Sequence, residues 1–240
     1  MRVKQAYISK SVDEFGLKFI DKYGLIQYHN ENDPVLIYGL YSDRDYEFAK
    51  KHTGIIIWRG SDSMNIRDKL PQYKHIAISD YIYRDLHNNG IECVKLPLSP
   101  QEPVANPIYR GDCIYFYSNR DRPYFYNEKL IGQIHVNTGI EIIKAYYDSY
   151  DNINDIYRKC FVGLRLLDHD GLSNTVVELG LLGRNCIYNG DTPNAIKWRN
   201  MRHLCELIRY EYEHRHDDNS QIAQKMADYI NISGDWLELA

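Results

Sequence analysis

Two hydrophobic rhythms alternate along the chain. Short apolar runs rich in Ile, Val and Tyr read as strands at Val3–Ser9, Val35–Leu40, Gly54–Trp58, His75–Ser79 and Ile91–Leu96. Between them lie stretches whose apolar residues recur at helical spacing: Ser11–Tyr23, Asp45–Lys51 and Asp80–Asn88. The pattern then breaks at Pro97, Pro100, Pro103 and Pro107, too dense a proline run for a helix or a central strand. Beyond it, strands are predicted at Cys113–Tyr117, Ile140–Tyr146, Phe161–Leu167 and Cys186–Tyr188. Helices are predicted over Asn127–Ile134, Ile153–Lys159, Asn174–Leu182, Ala195–Glu213 and Ser220–Ile230. Strands separated by helices predict parallel sheets on both sides of the prolines. The expected layout is an α/β domain over residues 1–100, a linker over 101–108 and a second α/β domain over 109–240. The last helix is expected to return to the first domain.

At 240 residues the chain suits one large domain or two small ones. The hydrophobic fraction of 44% is enough for real cores, and a net charge of −4 gives no electrostatic footing for nucleic acid. No apolar run follows Met1 and none reaches membrane-spanning length, so a cytoplasmic protein with no transmembrane segment is expected. The five cysteines are scattered without metal-ligand spacing and read as reduced thiols. Twenty-two tyrosines could offer platforms for rings, but a count does not single any out.

Residues 161–190 carry the most chemistry. They read as strand, polar glycine-containing turn, helix and strand, with Ser173 or Asn174 placed to cap the helix and Gly183 to end it. A strand-turn-helix of this kind presents backbone N–H groups at the carboxyl edge of a parallel sheet, where α/β proteins bind phosphates. An ordinary βαβ unit with a polar turn has the same outline.

Asp170, seven intervening residues and Glu178 resemble the paired-acid donor motif of retaining GT-B glycosyltransferases, the glycogen-synthase-like and family-4-like group. Arg165 and His169-Asp170-Gly171 are similar to a variant in which Asp replaces the commoner first Glu. The resemblance implies two Rossmann-like parallel-sheet domains facing across a cleft. It also implies that Asp170 faces the transferred sugar and Glu178 the ribose. The turn through His169, Gly171, Leu172, Ser173, Asn174 and Thr175 would bind sugar and diphosphate, partly through backbone amides. Ile114–Tyr126 looks like the opening strand of the donor domain, with Arg120 placed to offset diphosphate charge beside Arg165. Arg122 and Lys129 are the nearby cations where the family has a lysine.

In the first domain, Ile55–Asp62 resembles the family's strand ending in His-Gly, with Arg59 where histidine is usual. Arginine cannot serve as a base near neutral pH, so Arg59 would bind phosphate or an acidic acceptor, with Ser61 and Asp62 beside it. A plain turn with an N-cap at Ser61 or Asp62 fits equally. Ser79, in a further family-like segment, reads first as an N-cap. Ser9-Lys10-Ser11 stands where the family often has a glycine-rich loop, and the first domain is short for the family.

Asp43-Arg44-Asp45 and Asp168-His169-Asp170 also have the Asp-x-Asp form that holds a donor-bound divalent ion in GT-A enzymes. The helix after Gly171 and Glu178 match the metal-free arrangement better. The sequence therefore predicts a metal-independent, retaining hexosyltransferase. It would take a nucleotide-diphosphate sugar as donor, carry no cofactor, and use a glycan, lipid or protein hydroxyl as acceptor. The alternative is a non-catalytic nucleotide-sugar-binding or scaffold protein of the same fold.

Overall fold

The computed structural model describes residues 2–103, 110–146, 153–167 and 170–238. The chain forms two compact units. The first is Met1–Gln101 with Asp170–Leu172 and Ile230–Ala240; the second is Glu102–His169 with Ser173–Tyr229. Each unit is built on one parallel sheet.

The first sheet contains β1 (Gln5–Ile8), β2 (Ile26–Gln27), β3 (Val35–Tyr38), β4 (Gly54–Trp58), β5 (Tyr73–Ala77) and β6 (Cys93–Lys95), in the order β2-β1-β3-β4-β5-β6. Helices α1 (Asp13–Tyr23), α2 (Asp43–Ala49) and α3 (Asp80–Asn88) connect them. Every residue of β3 and β4 is buried, which is why both read as unbroken apolar runs rather than as alternating strands. Strand β2 was not predicted: two exposed residues give too little periodicity to detect. Helix α2 starts two residues earlier than the pattern suggests. Ser42 and Asp45 close a reciprocal capping box that fixes its first turn.

The second sheet contains β7 (Cys113–Tyr117), β8 (Ile142–Ala145), β9 (Cys160–Leu164), β10 (Cys186–Ile187) and β11 (Ala195–Ile196), in the order β11-β10-β9-β7-β8. With it run α4 (Leu130–Thr138), α5 (Ile153–Lys159), α6 (Asn174–Leu181), α7 (Met201–Glu213) and α8 (Ser220–Ile230). Alternation along β7 splits the core between the two faces. Ile114 and Phe116 pack with Ile134, Leu204 and Ile208. Tyr115 packs with Tyr157, Val176 and Leu179. Gly163 lets α6 close on β9, since a Cβ there would stand 2.3 Å from Leu179 Cδ1.

Two sequence expectations shift here. The helix expected from Ala195 begins at Met201, because Ala195–Ile196 pairs with β10 and the Asn200 side chain caps the helix by accepting the His203 N–H at 3.0 Å. The helix expected at Asn127–Ile134 begins at Leu130 and runs to Thr138, because Asn127 has φ 52° and lies in a turn. The final helix does not belong to the first unit; the segment after it does. Val3 N–H donates to the Leu237 carbonyl at 3.0 Å, Lys74 Nζ to the Trp236 carbonyl at 3.2 Å, and Trp236 packs edge-on against Tyr23.

Candidate functional site

Both sheets have the same order, in which the second strand lies on one side of the first and the third on the other. The chain therefore leaves the carboxyl ends of the first and third strands in opposite directions and opens a crevice there. In the second unit that switch point lies between β7 and β9.

The loop after β7 carries Arg120, which is exposed with its guanidinium over the Tyr146 ring at 4.6 Å. The same ring has Lys144 Nζ at 5.5 Å on its way to Glu128, to which Nζ donates at 2.6 Å. Immediately after β9, Arg165 lies over Tyr126 at 5.6 Å. Both arginines thus rest on aromatic faces at the carboxyl edge. Arg122 and Lys129 are exposed. Lys129 stands at the N-cap of α4, a poor location for a cation, because it faces the positive end of the helix dipole.

Helix α6 follows the same edge. Ser173 occupies its N-cap position, yet its hydroxyl makes no capping bond. The expected Ser173 or Asn174 cap is therefore not made, and Asn174 is already helical. The first-turn amides receive no acceptor from the cap residue, which suits them to an anion. One turn on, Glu178 is half-buried and accepts the Tyr157 hydroxyl proton at 2.7 Å. Tyr157 and Tyr115 are each 1% exposed, and both hydrogen-bond with Thr175. Burial first, then the Glu178 charge, pushes the Tyr157 phenol well above its ordinary value, so it remains a donor. The second unit thus brings together Arg120, Arg165, Ser173, Asn174, Thr175 and Glu178. The sequence did not single out Tyr126, Tyr146, Lys144 or Tyr157; only their position at one sheet edge distinguishes them from the other tyrosines and lysines.

Asp170, Gly171 and Leu172 group with the first unit. The Asp170 carbonyl accepts from Ser79 Oγ at 3.4 Å, and Ser79 also caps α3 as expected. Gly171 packs so tightly that a Cβ would stand 2.3 Å from the Arg59 carbonyl oxygen; Leu172 is buried. His169, and Asp168 of the second Asp-x-Asp, lie outside the described residues.

Asp62 makes the turn and cap that were one of its two expected readings. Its carboxylate is buried and accepts the backbone N–H groups of Arg59, Gly60, Leu40 and Ser63 at 2.7–3.3 Å. Burial pushes this carboxyl up while the Gly60, Arg59 and Leu40 amides hold it down, and the residue organises the turn. Ser61 is exposed on the rim of a pocket of about 430 Å³ that Leu40, Tyr41, Asp62 and Arg67 also line. Asp45, of the first Asp-x-Asp, is likewise turned inward, accepting from Tyr7, Ser9 and Ser42 hydroxyls at 2.9 Å; Asp43 pairs with Arg67. Among the described residues, no three His, Cys, Asp or Glu side chains converge as a metal site, and no helix is long and apolar enough to cross a membrane.

Two parallel-sheet α/β units with these switch points are the fold of the GT-B glycosyltransferases. Among solved structures the chain is similar to the apo lipopolysaccharide outer core galactosyltransferase WaaB, with TM-score 0.55 and 12% identity over 85% of this chain and 72% of that one. It is similar to TarM, with TM-score 0.57 and 10% identity over 87% of this chain but only 53% of that one. It is also similar to a DNA-modifying β-glucosyltransferase whose substrate is uridine diphosphoglucose, with TM-score 0.57 and 10% identity over 95% and 94% of the two chains. No family model and no curated protein matches the sequence. At these identities the likeness is one of fold.

Proposed function

We propose that the chain is a nucleotide-sugar-dependent glycosyltransferase whose donor site is the carboxyl edge of the second sheet. The observation that carries this reading is the grouping there of two aromatic-backed arginines, an uncapped helix N-terminus and Glu178, all beside the switch point. The cations and amides suit a nucleoside diphosphate, and Glu178 can accept hydrogen bonds from ribose hydroxyls.

Transfer breaks the bond between the anomeric carbon and the phosphate oxygen and forms one to the acceptor oxygen. The acceptor proton passes to the departing phosphate. Charge builds on the diphosphate, and Arg120, Arg165 and the α6 amides stabilise it without requiring a metal. Asp170 faces the transferred sugar, His169 and Leu172 are further candidates to contact the donor, and neither acid moves a proton. Front-face departure and attack give retention at the anomeric carbon. The net charge of −4 favours a glycan, lipid or protein acceptor over nucleic acid.

Calorimetric titration of UDP and GDP in EDTA, with turnover of a nucleotide-sugar panel, tests the reading. Binding in EDTA is expected. Binding that needs Mg²⁺ or Mn²⁺ would move the donor site to the Asp168–Asp170 pair. Absence of any binding would end the assignment, and binding without turnover would leave a nucleotide-sugar-binding protein. A second arm uses Asp170→Ala, which should leave bare UDP affinity unchanged and reduce transfer, because its partner is the sugar.

A further inference from the structure

At the carboxyl end of β4 the first unit holds a cation, Arg59, whose hydrogen bonding the described residues do not complete. Nε and Nη1 of Arg59 are both shielded from solvent, and among the described residues neither has a hydrogen-bond partner. The guanidinium lies over the Tyr38 ring with Cζ 4.5 Å from its centroid. The register explains the stacking: Tyr38 pairs with Ile57, and Arg59, two residues on, projects to the same side of the sheet. Tyr38 is 1% exposed, and its hydroxyl is also buried with no partner among the described residues.

Stacking engages the flat face of a guanidinium and leaves its in-plane donors unanswered. Asp62, the nearest anion along the chain, does not answer them. Its oxygens accept from the backbone of its own turn and from the Leu40 N–H. Buried donors without acceptors destabilise a fold, and native structures rarely keep them without a use. Burial holds the Tyr38 phenol up to about 12, so its hydroxyl is a donor at physiological pH. The stacked pair thus offers two N–H groups of a planar fork and one O–H, donors of the kind an oxyanion takes.

We propose that Arg59 and Tyr38 form an oxyanion site in the first unit that holds a phosphate or carboxylate group of the acceptor. The word acceptor rests on the glycosyl-transfer reading; the oxyanion site does not. The Arg59–Asp62 turn also contributes Ser61 and Asp62 to the wall of the 430 Å³ pocket, whose lining does not include Arg59 or Tyr38. The competing source of the oxyanion is the donor diphosphate.

Inorganic phosphate is titrated by calorimetry into the full chain as wild type, Arg59→Gln and Tyr38→Phe, with and without saturating UDP. UDP is titrated into each form separately. Phosphate should bind the UDP-saturated wild type, at least about tenfold more weakly after Arg59→Gln and about threefold more weakly after Tyr38→Phe. UDP affinity should change less than about twofold in either variant, since neither side chain touches the donor. Phosphate that does not bind wild type, or binds the variants equally, overturns the site. UDP affinity that falls in step with phosphate affinity reassigns Arg59 to the donor and overturns the acceptor claim. If UDP binds no form, the glycosyl-transfer reading fails, and the titrations without UDP still decide the oxyanion site. Tyr38→Phe keeps the ring and removes only the hydroxyl. With Arg59→Lys, which keeps charge but loses the fork, it decides the matter should Arg59→Gln not fold.

Discussion

At the carboxyl edge of the first sheet, Asp45 and Asp62 point inward and accept hydrogen bonds mainly from their own loops, while Nε and Nη1 of Arg59 have no hydrogen-bond partner among the described residues. At the same edge of the second sheet, Glu178 is half-buried and two arginines rest on aromatic faces. The strand order is the same in both. The topology therefore supplies a crevice twice, and loop side chains decide what each crevice can hold. In the first unit carboxylates build the loops; in the second Glu178 accepts from the Tyr157 hydroxyl of a separate helix.

The largest expected effect tests the structural side of that contrast. Asp45→Ala removes the acceptor for Tyr7, Ser9, Ser42 and the Tyr41 and Ser42 amides, and should cost about 3 kcal/mol of stability by urea unfolding. UDP affinity of the folded protein should not change. A comparable loss of UDP binding would erase the distinction between the two edges.

Glu178→Ala should do the reverse, weakening UDP by about 1.5–3 kcal/mol in calorimetry with a smaller change in melting temperature. An affinity loss that merely tracks lost stability would make Glu178 an ordinary helix residue. Tyr157→Phe sharpens the same point more gently. It removes the 2.7 Å hydrogen bond that orients Glu178 and should weaken UDP by about 1 kcal/mol, with no further loss when added to Glu178→Ala.

The smallest effect is a pH dependence in the first unit. His75 is buried, and burial lowers its pKa despite help from backbone carbonyls. As a neutral ring it accepts the Trp58 Nε1–H at 3.1 Å through Nδ1 and faces the Leu70 carbonyl through Nε2. A lowered folded value means that the unfolded chain binds the proton first, so stability falls as pH drops below about 6.5 and levels off beneath the folded value. His75→Gln should flatten that part of a urea-midpoint profile. An unchanged slope would remove His75 as its source.

Much of the fold was legible because it rests on local patterns. The runs at Val35–Leu40 and Gly54–Trp58 are apolar throughout, and a strand buried on both faces must be so. Ser79 and Ser220–Ile230 gave a cap and a helix where the structure has them. Ala195–Ile196 was misread because two residues carry no period, and only pairing with Cys186–Ile187 makes them a strand. The site was legible in part. Resemblance to a family motif brought Arg120, Arg165 and Glu178 forward as candidates, whereas Asp62 could not be separated from a ligand-facing acid, because a turn-building carboxylate and a binding one look alike in sequence.

The sequence by itself determined the alternation of strands and helices, the proline break, and the acids and arginines available to each half. Those follow from backbone preference and hydrophobic period, which act over a few residues. The tertiary structure decided which charges are answered from within. Asp45 gains the Tyr7 and Ser9 hydroxyls and Asp62 the Leu40 amide from other parts of the chain, Tyr157 reaches Glu178 across 21 positions, and Arg59 stacks on Tyr38 from the neighbouring strand with no acceptor for its Nε and Nη1 among the described residues. Hydrogen-bond satisfaction of a buried group depends on neighbours distant in the chain, so no local pattern could have shown that a guanidinium would be left open at this edge.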